Sequence, residues 1–235
     1  MSAPCDTLAI IPARGGSKRI PRKNIRDFRG RPMLVRSIEV ALASDAFDTV
    51  MVSTDNHEIA ELAQTAGAEV PFMRSAETSD NHATTSAVLL EVLEGYARSG
   101  RHPSLACCLY ATAPMVTAAD LLHGRDRLLD GEADVMMPVT AFSYPIWRSL
   151  RRDRHGRIAL NFPDHLNARS QDLPAAYHDA AQWYWFRTTA FLREQVLMGP
   201  NTGSVVLPGW RVQDIDTEED WIEAERKHEQ LVGWE

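Results

Sequence analysis

The stretch LAIIPARGGSKRIPRKN, residues 8–24, decides how the fold begins. It opens with a short apolar run rich in β-branched residues, and a glycine pair with basic neighbours follows. An apolar run that ends in glycines is typical of a buried strand that leads into a loop. Apolar residues then recur at helical spacing from Met33, and Pro32 before them suits a first helical turn. The chain therefore starts as strand, loop and helix.

The same alternation of strands and helices continues to about residue 140. Further strands are predicted for TVMVSTD, LACCLYA and DVMMPVTA, and helices for residues 56–67, 84–98 and 118–129. This alternation predicts an α/β fold with a doubly wound, mostly parallel (mixed), Rossmann-like sheet in a single domain, residues 1–235. Ligands of such sheets bind beyond the carboxyl ends of the strands.

Residues 143–180 break the alternation, since they are polar, rich in turn residues and too long for a simple connection. We expect an insertion that serves function or forms an interface. The run QWYWF after it predicts a strand that returns to the sheet, with both tryptophans buried. The segment VQDIDTEED, residues 212–220, predicts a last strand and then a helix capped by Asp216 or Thr217.

The composition argues against several classes of protein. A net charge of −7 argues against general nucleic-acid binding, which needs a basic surplus along one face. No apolar run approaches the roughly 18 residues of a membrane span, so no membrane association is expected. The cysteines Cys5, Cys107 and Cys108 are odd in number and the last two are adjacent, which disfavours a disulfide framework and fits a reducing cytoplasm.

The glycine pair after the first strand suits an anionic ligand. Gly15 and Gly16 let the backbone approach closely and direct successive N–H groups into one concavity. Arg14, Lys18 and Lys23 would add charged donors. A polyphosphate is therefore the expected ligand, although a glycine pair with basic neighbours also occurs in solvated surface loops. Neither the P-loop motif nor G-x-G-x-x-G is present.

A second charged feature, the pair Asp214 and Asp216, lies near the other end of the chain. Side chains two apart on a strand share a face, so both carboxylates could hold one Mg²⁺ together with substrate phosphates. Asp55, at the end of a predicted strand, is a weaker metal candidate. Acids in a D-x-D pattern also occur as helix caps and on solvated faces.

The stretch IPARGGSKRIPRKN, residues 11–24, resembles the opening motif of the sugar-acid cytidylyltransferases, which make CMP-sialic acid and related nucleotide sugars. The resemblance implies a nucleotidyltransferase fold with CTP as a substrate. It also implies that Asn24 contacts the ribose and that the triphosphate binds at Arg14, Gly15, Gly16, Ser17, Lys18 and Lys23. Residues 52–80 resemble the family's second motif block, in which Arg74 would read cytosine. Thr85 would make a hydroxyl contact, or would simply cap a helix.

Two further segments bear on the sugar. In CLYATAPMV, residues 108–116, Tyr110 and Val116 replace the glutamine and arginine of sialic acid enzymes. Residues 166–185, LNARSQDLPAAYHDAAQWYW, resemble a block of pseudaminic acid cytidylyltransferases, apart from three substitutions. This resemblance implies a sugar pocket formed by Tyr110, Arg169, Gln171, His178, Asp179 and Gln182. In the family the insertion also builds a dimer contact, so we expect a homodimer.

The resemblance thus implies an enzyme in which the anomeric hydroxyl of pseudaminic acid, a nonulosonic acid, attacks the α-phosphate of CTP and pyrophosphate leaves. The family resemblance assigns Mg²⁺ to Asp214 and Asp216, and the chemical step to Lys23, Arg14 and Asp214. A metal-bound hydroxide or Asp214 could take the hydroxyl proton. The alternatives are the same reaction on N-acetylneuraminic or legionaminic acid, a CTP-binding protein without catalysis, and a glycosyltransferase of related architecture.

Overall fold

A computed structural model describes residues 7–80 and 82–232 of the protein; Cys5 lies outside these residues. The strands are β1 (Thr7–Pro12), β2 (Asp27–Phe28), β3 (Arg31–Pro32), β4 (Thr49–Ser53), β5 (Leu105–Leu109), β6 (Val135–Ala141), β7 (Leu150–Arg152), β8 (Ile158–Leu160), β9 (Tyr177–Asp179), β10 (Trp183–Arg187) and β11 (Thr202–Val206). The helices are α1 (Met33–Ala43), α2 (His57–Thr65), α3 (Ala76–Ser79), α4 (Thr85–Arg98), α5 (Ala118–Asp130), α6 (Thr188–Glu194) and α7 (Glu218–Val232).

The main sheet of the described residues has the strand order β11, β6, β10, β5, β1, β4, and β9 also pairs with β6. Strands β4, β1 and β5 run parallel to one another, and β11 runs parallel to β6. Strand β10 is antiparallel to both of its neighbours, β5 and β6. The predicted mostly parallel, mixed sheet is therefore confirmed.

Helices cover both faces of this sheet. Ala9 and Ile11 of β1 pack with residues of α1, α2 and α5, whereas Leu8 and Ile10 pack with residues of α4 and α6. Because side chains alternate along β1, they contribute to two hydrophobic cores, one on each face of the sheet. None of the helices in the described part of the chain combines the length and the apolar character that a membrane crossing requires.

Strand β10 carries the two tryptophans for which the sequence predicts burial. Trp183 and Trp185 are both fully buried, so that prediction is confirmed. They pack under α5, which approaches the sheet closely at Gly124. A Cβ atom on Gly124 would lie 2.5 Å from Trp183 Cη2 and 2.9 Å from Trp185 Cδ1. Glycine is therefore required there for close helix–sheet packing.

Residues 143–180 lie beside the sheet and are mostly exposed. They contain the antiparallel hairpin β7–β8, short 3₁₀ turns and strand β9. Strand β9 pairs with the last residues of β6, with Val139 opposite Asp179. Because β9 and β10 lie along the same edge of β6, the end of this segment is fixed near the carboxyl end of β6.

The predicted last strand in VQDID is wrong, because residues 212–217 form a loop. Strand β11 occupies the sheet edge next to β6 instead. Ile215 of this loop is fully buried in a cluster that includes Ile20, Phe28 and Trp221. Burial of Ile215 therefore fixes the loop against the segment that follows β1.

Helix α7 starts with the predicted cap. Thr217 Oγ1 accepts a hydrogen bond from the Asp220 N–H at 3.2 Å, and Asp220 Oδ2 accepts one from the Thr217 N–H at 2.8 Å. These reciprocal bonds form a capping box, which makes Thr217 the N-cap. The acidic first turn of α7 also suits the positive end of the helix dipole.

Candidate active site

A cleft of about 260 Å³ opens at the carboxyl end of β1. We call it the basic cleft, because Arg14, Lys18, Arg19 and Lys23 of the loop after β1 line it. The cleft lies where doubly wound sheets bind their ligands. Its other lining residues include predicted site residues, namely Ser17, Asn24, Arg74, Thr85 and Tyr110.

The two glycines of the loop differ in their surroundings. The Gly15 N–H donates a hydrogen bond to Asp55 Oδ1 at 2.8 Å. A Cβ atom on Gly15 would lie 2.9 Å from the Asn56 side chain, so a larger residue would displace the start of α2. A Cβ atom on Gly16 would meet nothing within 4 Å. Asp55 thus supports the loop, and the first glycine is explained by packing.

Asn24 holds the far end of the same loop. Its side chain is buried, and Nδ2 donates a hydrogen bond to the Arg14 carbonyl oxygen at 2.9 Å. Arg22 adopts the left-handed conformation, with φ 57°, where the chain turns back. The Arg14 guanidinium reaches across the cleft and donates from Nη1 to the Asp80 carbonyl oxygen at 2.8 Å. The basic side chains are therefore carried by a loop with internal support.

The loop after β1 meets the two aspartates from the other end of the chain. Lys23 Nζ donates to the Ile215 carbonyl oxygen at 2.5 Å and lies 3.7 Å from Asp216 Oδ1. Arg19 Nη1 lies 2.6 Å from Asp216 Oδ2. Burial lowers the pKa of Lys23, and the negative charges of Asp216 and Asp214 oppose that shift. The structure thus brings the phosphate-binding candidates and Asp216 together.

A second cavity, of about 760 Å³, lies next to Asp216. We call it the acidic cavity, because Asp179, Asp214, Asp216 and Asp220 line it. Burial raises the pKa of Asp214, and the nearby charge of Asp216 raises it further. Since Asp216 lines the acidic cavity and contacts two side chains of the basic cleft, the two cavities share a wall.

Asp214 and Asp216 offer a suitable but incomplete donor set for a divalent cation. Two neighbouring carboxylates suit Mg²⁺, which usually completes its six oxygen ligands with substrate phosphates and water. Residues 7–80 and 82–232 contain no group of three or more His, Cys, Asp or Glu side chains arranged to hold a metal. The remaining ligands would therefore have to come from a substrate or from solvent.

Arg74, the predicted cytosine reader, is a buried side chain that lines the basic cleft. It donates from Nε to Ser53 Oγ at 3.0 Å and from Nη2 to the Ser53 carbonyl oxygen at 2.5 Å, and burial lowers its pKa. Thr85 Oγ1 lies 3.3 Å from the Tyr110 hydroxyl oxygen. Thr84, and not Thr85, caps helix α4, so the Thr85 side chain is available to the cleft.

Two of the predicted sugar contacts, His178 and Asp179, line the acidic cavity. Asp179 is held in place by hydrogen bonds from the Ala181 N–H at 2.8 Å and from the Tyr184 hydroxyl at 2.5 Å. Tyr184 is not among the site residues that the sequence predicts. The signal for it is the alternation of side chains along β10, which places Tyr184 on the face opposite to Trp183 and Trp185.

The other predicted sugar contacts lie elsewhere. Gln182 is only 1% exposed, lines neither cavity, and donates from Nε2 to the Arg211 carbonyl oxygen at 2.7 Å. Arg169 is exposed and pairs with Asp172 at 2.7 Å. Gln171 lines a separate cavity of about 430 Å³ in the insertion. The described residues of one chain therefore do not bring these three side chains to the acidic cavity.

This chain is similar to known cytidylyltransferases in sequence and to a solved synthetase in fold. A family model described as cytidylyltransferase matches residues 8–200. The pseudaminic acid cytidylyltransferase of Campylobacter jejuni is 41% identical over 91% of this chain and 92% of its own length. N-acylneuraminate cytidylyltransferase A of Danio rerio is 29% identical over 93% of this chain and 50% of its own length. A CMP:2-keto-3-deoxy-manno-octonic acid synthetase complexed with CTP superposes with a TM-score of 0.70 at 18% identity, over 96% of this chain and 99% of that chain.

Proposed function

The chain belongs to the cytidylyltransferase family, and from this premise we propose that it couples CTP to pseudaminic acid and releases pyrophosphate. The observation that carries the choice of sugar is the 41% identity, over 91% of the chain, to a pseudaminic acid cytidylyltransferase. The product of this reaction is CMP-pseudaminic acid.

The two cavities suit the two substrates. The basic cleft presents Arg14, Ser17, Lys18 and Lys23, which can donate to the phosphate oxygens of CTP. We assign the nucleobase to Arg74, a buried side chain that lines the same cleft and carries N–H donors. We place the sugar acid in the acidic cavity, where the ammonium of Lys227 can face its carboxylate and where its anomeric hydroxyl would meet the α-phosphate at the shared wall.

The chemistry depends mainly on position and charge. Phosphoryl-type transfer requires neutralisation of the charge on the phosphates and an attacking hydroxyl held in line with the leaving group. Lys23 supplies a fixed ammonium, because its Nζ is anchored on the Ile215 carbonyl oxygen. The carboxylate of Asp214 lines the sugar cavity and can accept the hydroxyl proton there.

We assign a Mg²⁺ ion to Asp214 and Asp216, whose paired carboxylates suit it. When bound with CTP, the ion would neutralise charge that develops on the phosphate oxygens. Arg14 and Lys18 act on the same phosphates from the loop after β1 and hold them against the cleft.

A homodimer is part of this proposal. The insertion exposes large apolar side chains, among them Tyr144 at 82%, Ile158 at 66% and Leu166 at 61% exposure. Exposed apolar surface of this kind favours association, and a two-fold axis would pair like patches. Such a dimer could bring Arg169 to the site of the partner subunit. We also propose a cytoplasmic location, which suits the free thiols of Cys107 and Cys108.

The test is an assay of pyrophosphate release from CTP and pseudaminic acid, with Mg²⁺, with EDTA, and with the Asp216→Asn variant. We expect Asp216→Asn to lose about 2 kcal/mol or more of transition-state stabilisation, roughly a thirtyfold loss in rate. Glu219→Gln, an exposed change in the first turn of α7, is the matched control and should keep the wild-type rate. Equal rates in all of these conditions would refute the metal assignment.

N-acetylneuraminic and legionaminic acids remain the nearest alternative substrates, because relatives that act on such acids are also similar to this chain. The discriminating measurement is kcat/KM for each acid under the same conditions. Tight CTP binding without turnover of any sugar acid would instead favour a non-catalytic CTP-binding protein.

A further inference from the structure

Two ion pairs to Asp216 lie in the wall between the two cavities. Arg19 Nη1 lies 2.6 Å from Asp216 Oδ2, and Lys23 Nζ lies 3.7 Å from Asp216 Oδ1. Both carboxylate oxygens of Asp216 therefore face a cationic side chain. Arg19 also lines the basic cleft, where the phosphates of CTP are placed under the proposed function.

Arg19 competes with a divalent cation for Asp216, because it occupies Oδ2 and places a positive charge beside the carboxylate. Mg²⁺ needs oxygen ligands at about 2.0–2.1 Å in near-octahedral geometry. A guanidinium within hydrogen-bond distance of the same oxygen would occupy that space and repel the ion. Metal binding through Oδ2 therefore requires Arg19 to leave, and metal binding through Oδ1 is weakened while the guanidinium stays.

Arg19 is the side chain that is free to leave. Its side chain is 70% exposed, whereas that of Lys23 is 19% exposed and is tied to the Ile215 carbonyl oxygen at 2.5 Å. No hydrogen bond other than the one to Asp216 is found for the Arg19 guanidinium among the described residues. Its long stem also allows it to swing within the basic cleft at little cost.

We propose that Arg19 is an exchangeable counter-ion: it neutralises Asp216 before the substrates bind, and it transfers to the triphosphate when a metal ion and CTP bind together. This inference rests on the proposed function. In the first state Arg19 and Lys23 offset the charges of Asp214 and Asp216. In the second state the metal ion replaces Arg19 at the carboxylates, and Arg19 adds a phosphate ligand to the cleft.

The exchange makes metal and nucleotide binding cooperative. A metal ion that binds without nucleotide must break the Arg19–Asp216 pair and gains nothing from the released side chain. When CTP is present, the released guanidinium gains charge-assisted hydrogen bonds to phosphate. Because coupling between two ligands is reciprocal, CTP must raise the affinity for the metal by the same factor.

The test measures Mn²⁺ binding by electron paramagnetic resonance, first without nucleotide and then with saturating CTP. For Arg19→Gln we expect about three- to fivefold tighter binding of Mn²⁺ to the nucleotide-free protein, since an exposed ion pair no longer competes. We expect Mn²⁺–CTP to bind roughly tenfold more weakly, since a charged phosphate ligand is lost. The factor by which CTP raises the affinity for Mn²⁺ should therefore be smaller in Arg19→Gln than in the wild type.

Arg22→Gln is the matched control. Arg22 lies in the same loop and is similarly exposed, but it pairs with Glu58 at 2.5 Å and not with Asp216. This variant should keep the wild-type affinities for Mn²⁺ and for Mn²⁺–CTP. In a second control, Asp216→Asn added to Arg19→Gln should remove the gain in Mn²⁺ affinity, because the two side chains act on one site.

Unchanged or weaker Mn²⁺ binding by nucleotide-free Arg19→Gln would overturn the exchange, as would an equal gain in Arg22→Gln. Failure of the proposed function looks different: the wild-type protein would bind no CTP, or would release no pyrophosphate with any sugar acid. The Mn²⁺ titration without nucleotide does not depend on turnover, so the two failures can be told apart.

Discussion

Stability should depend on pH through His228 of α7, which packs against Phe28 of β2 and Arg36 of α1. Its ring is 8% exposed, lies edge-on to Phe28 with 5.4 Å between ring centroids, and places Nε2 at 3.3 Å from Arg36 Nη1. Burial, followed by the positive charges of Arg36 and Arg29, lowers the pKa of His228 to about 4 from an ordinary 6.5. The folded protein therefore keeps this imidazole neutral well into the acidic range.

The sign of the effect follows from proton linkage. Between pH 6.5 and 4 the unfolded chain protonates this histidine and the folded chain does not, so acid favours unfolding. The contribution to stability is complete above pH 6.5 and is lost as the pH falls through this window. Each pKa unit is worth about 1.4 kcal/mol, so the loss is about 2 kcal/mol at pH 5 and about 3 kcal/mol at pH 4.

The assay is urea unfolding followed by tryptophan fluorescence at several pH values from 7.5 to 5, for the wild type and for His228→Gln. Glutamine can still accept a hydrogen bond from Arg36 but does not titrate. The carboxylates are common to both proteins and cancel in the difference. The wild type should lose about 2 kcal/mol more than the variant over this range.

His102→Gln, a change at an exposed histidine, is the control and should show the pH slope of the wild type. If wild type and His228→Gln lose stability in parallel, the idea that a buried neutral imidazole sets this dependence is refuted.

Three further predictions concern single side chains. Tyr184→Phe removes the hydroxyl that holds Asp179, and should raise the KM for the sugar acid about fivefold while leaving the KM for CTP unchanged; equal effects on both would argue against the assigned cavity. Gly124→Ala inserts a methyl group against Trp183 and should destabilise the protein by about 1–2 kcal/mol in urea unfolding, despite the better helix propensity of alanine. Arg74→Met should weaken CTP binding about tenfold in calorimetric titrations, and wild-type affinity would exclude a contact with the nucleotide.

Local patterns in the chain were sufficient for most of the fold. Apolar runs rich in β-branched residues, followed by turn residues, predicted β1, β4, β5 and β6. These patterns are reliable because a buried strand needs consecutive apolar residues and a turn needs residues such as glycine next to it. The opening motif also groups Arg14, Lys18 and Lys23, and these three side chains line one cleft. Because these residues follow a buried strand within one short loop, their side chains must lie near the carboxyl end of that strand.

Patterns were misleading where a distant contact decides the conformation. The segment VQDID reads as a strand that ends in acids, yet it forms a loop in which Ile215 is buried in a cluster with Ile20, Phe28 and Trp221. The position of the Gln182 side chain also depends on a distant residue, since its Nε2 donates to the Arg211 carbonyl oxygen. A strand-like run of residues can thus also be buried by the packing of a loop.

On its own, the amino-acid sequence determined the order of strands and helices, the basic loop after the first strand and the acid pair near the end. Each of these features depends only on residues that are close together in the chain. The folded chain alone revealed that β10 runs antiparallel between β5 and β6, that Tyr184 supports Asp179, and that Arg19 bridges to Asp216. The physical reason is that these relations join residues far apart in the chain. Their partners are selected by packing of the whole sheet and its helices, which no local pattern encodes.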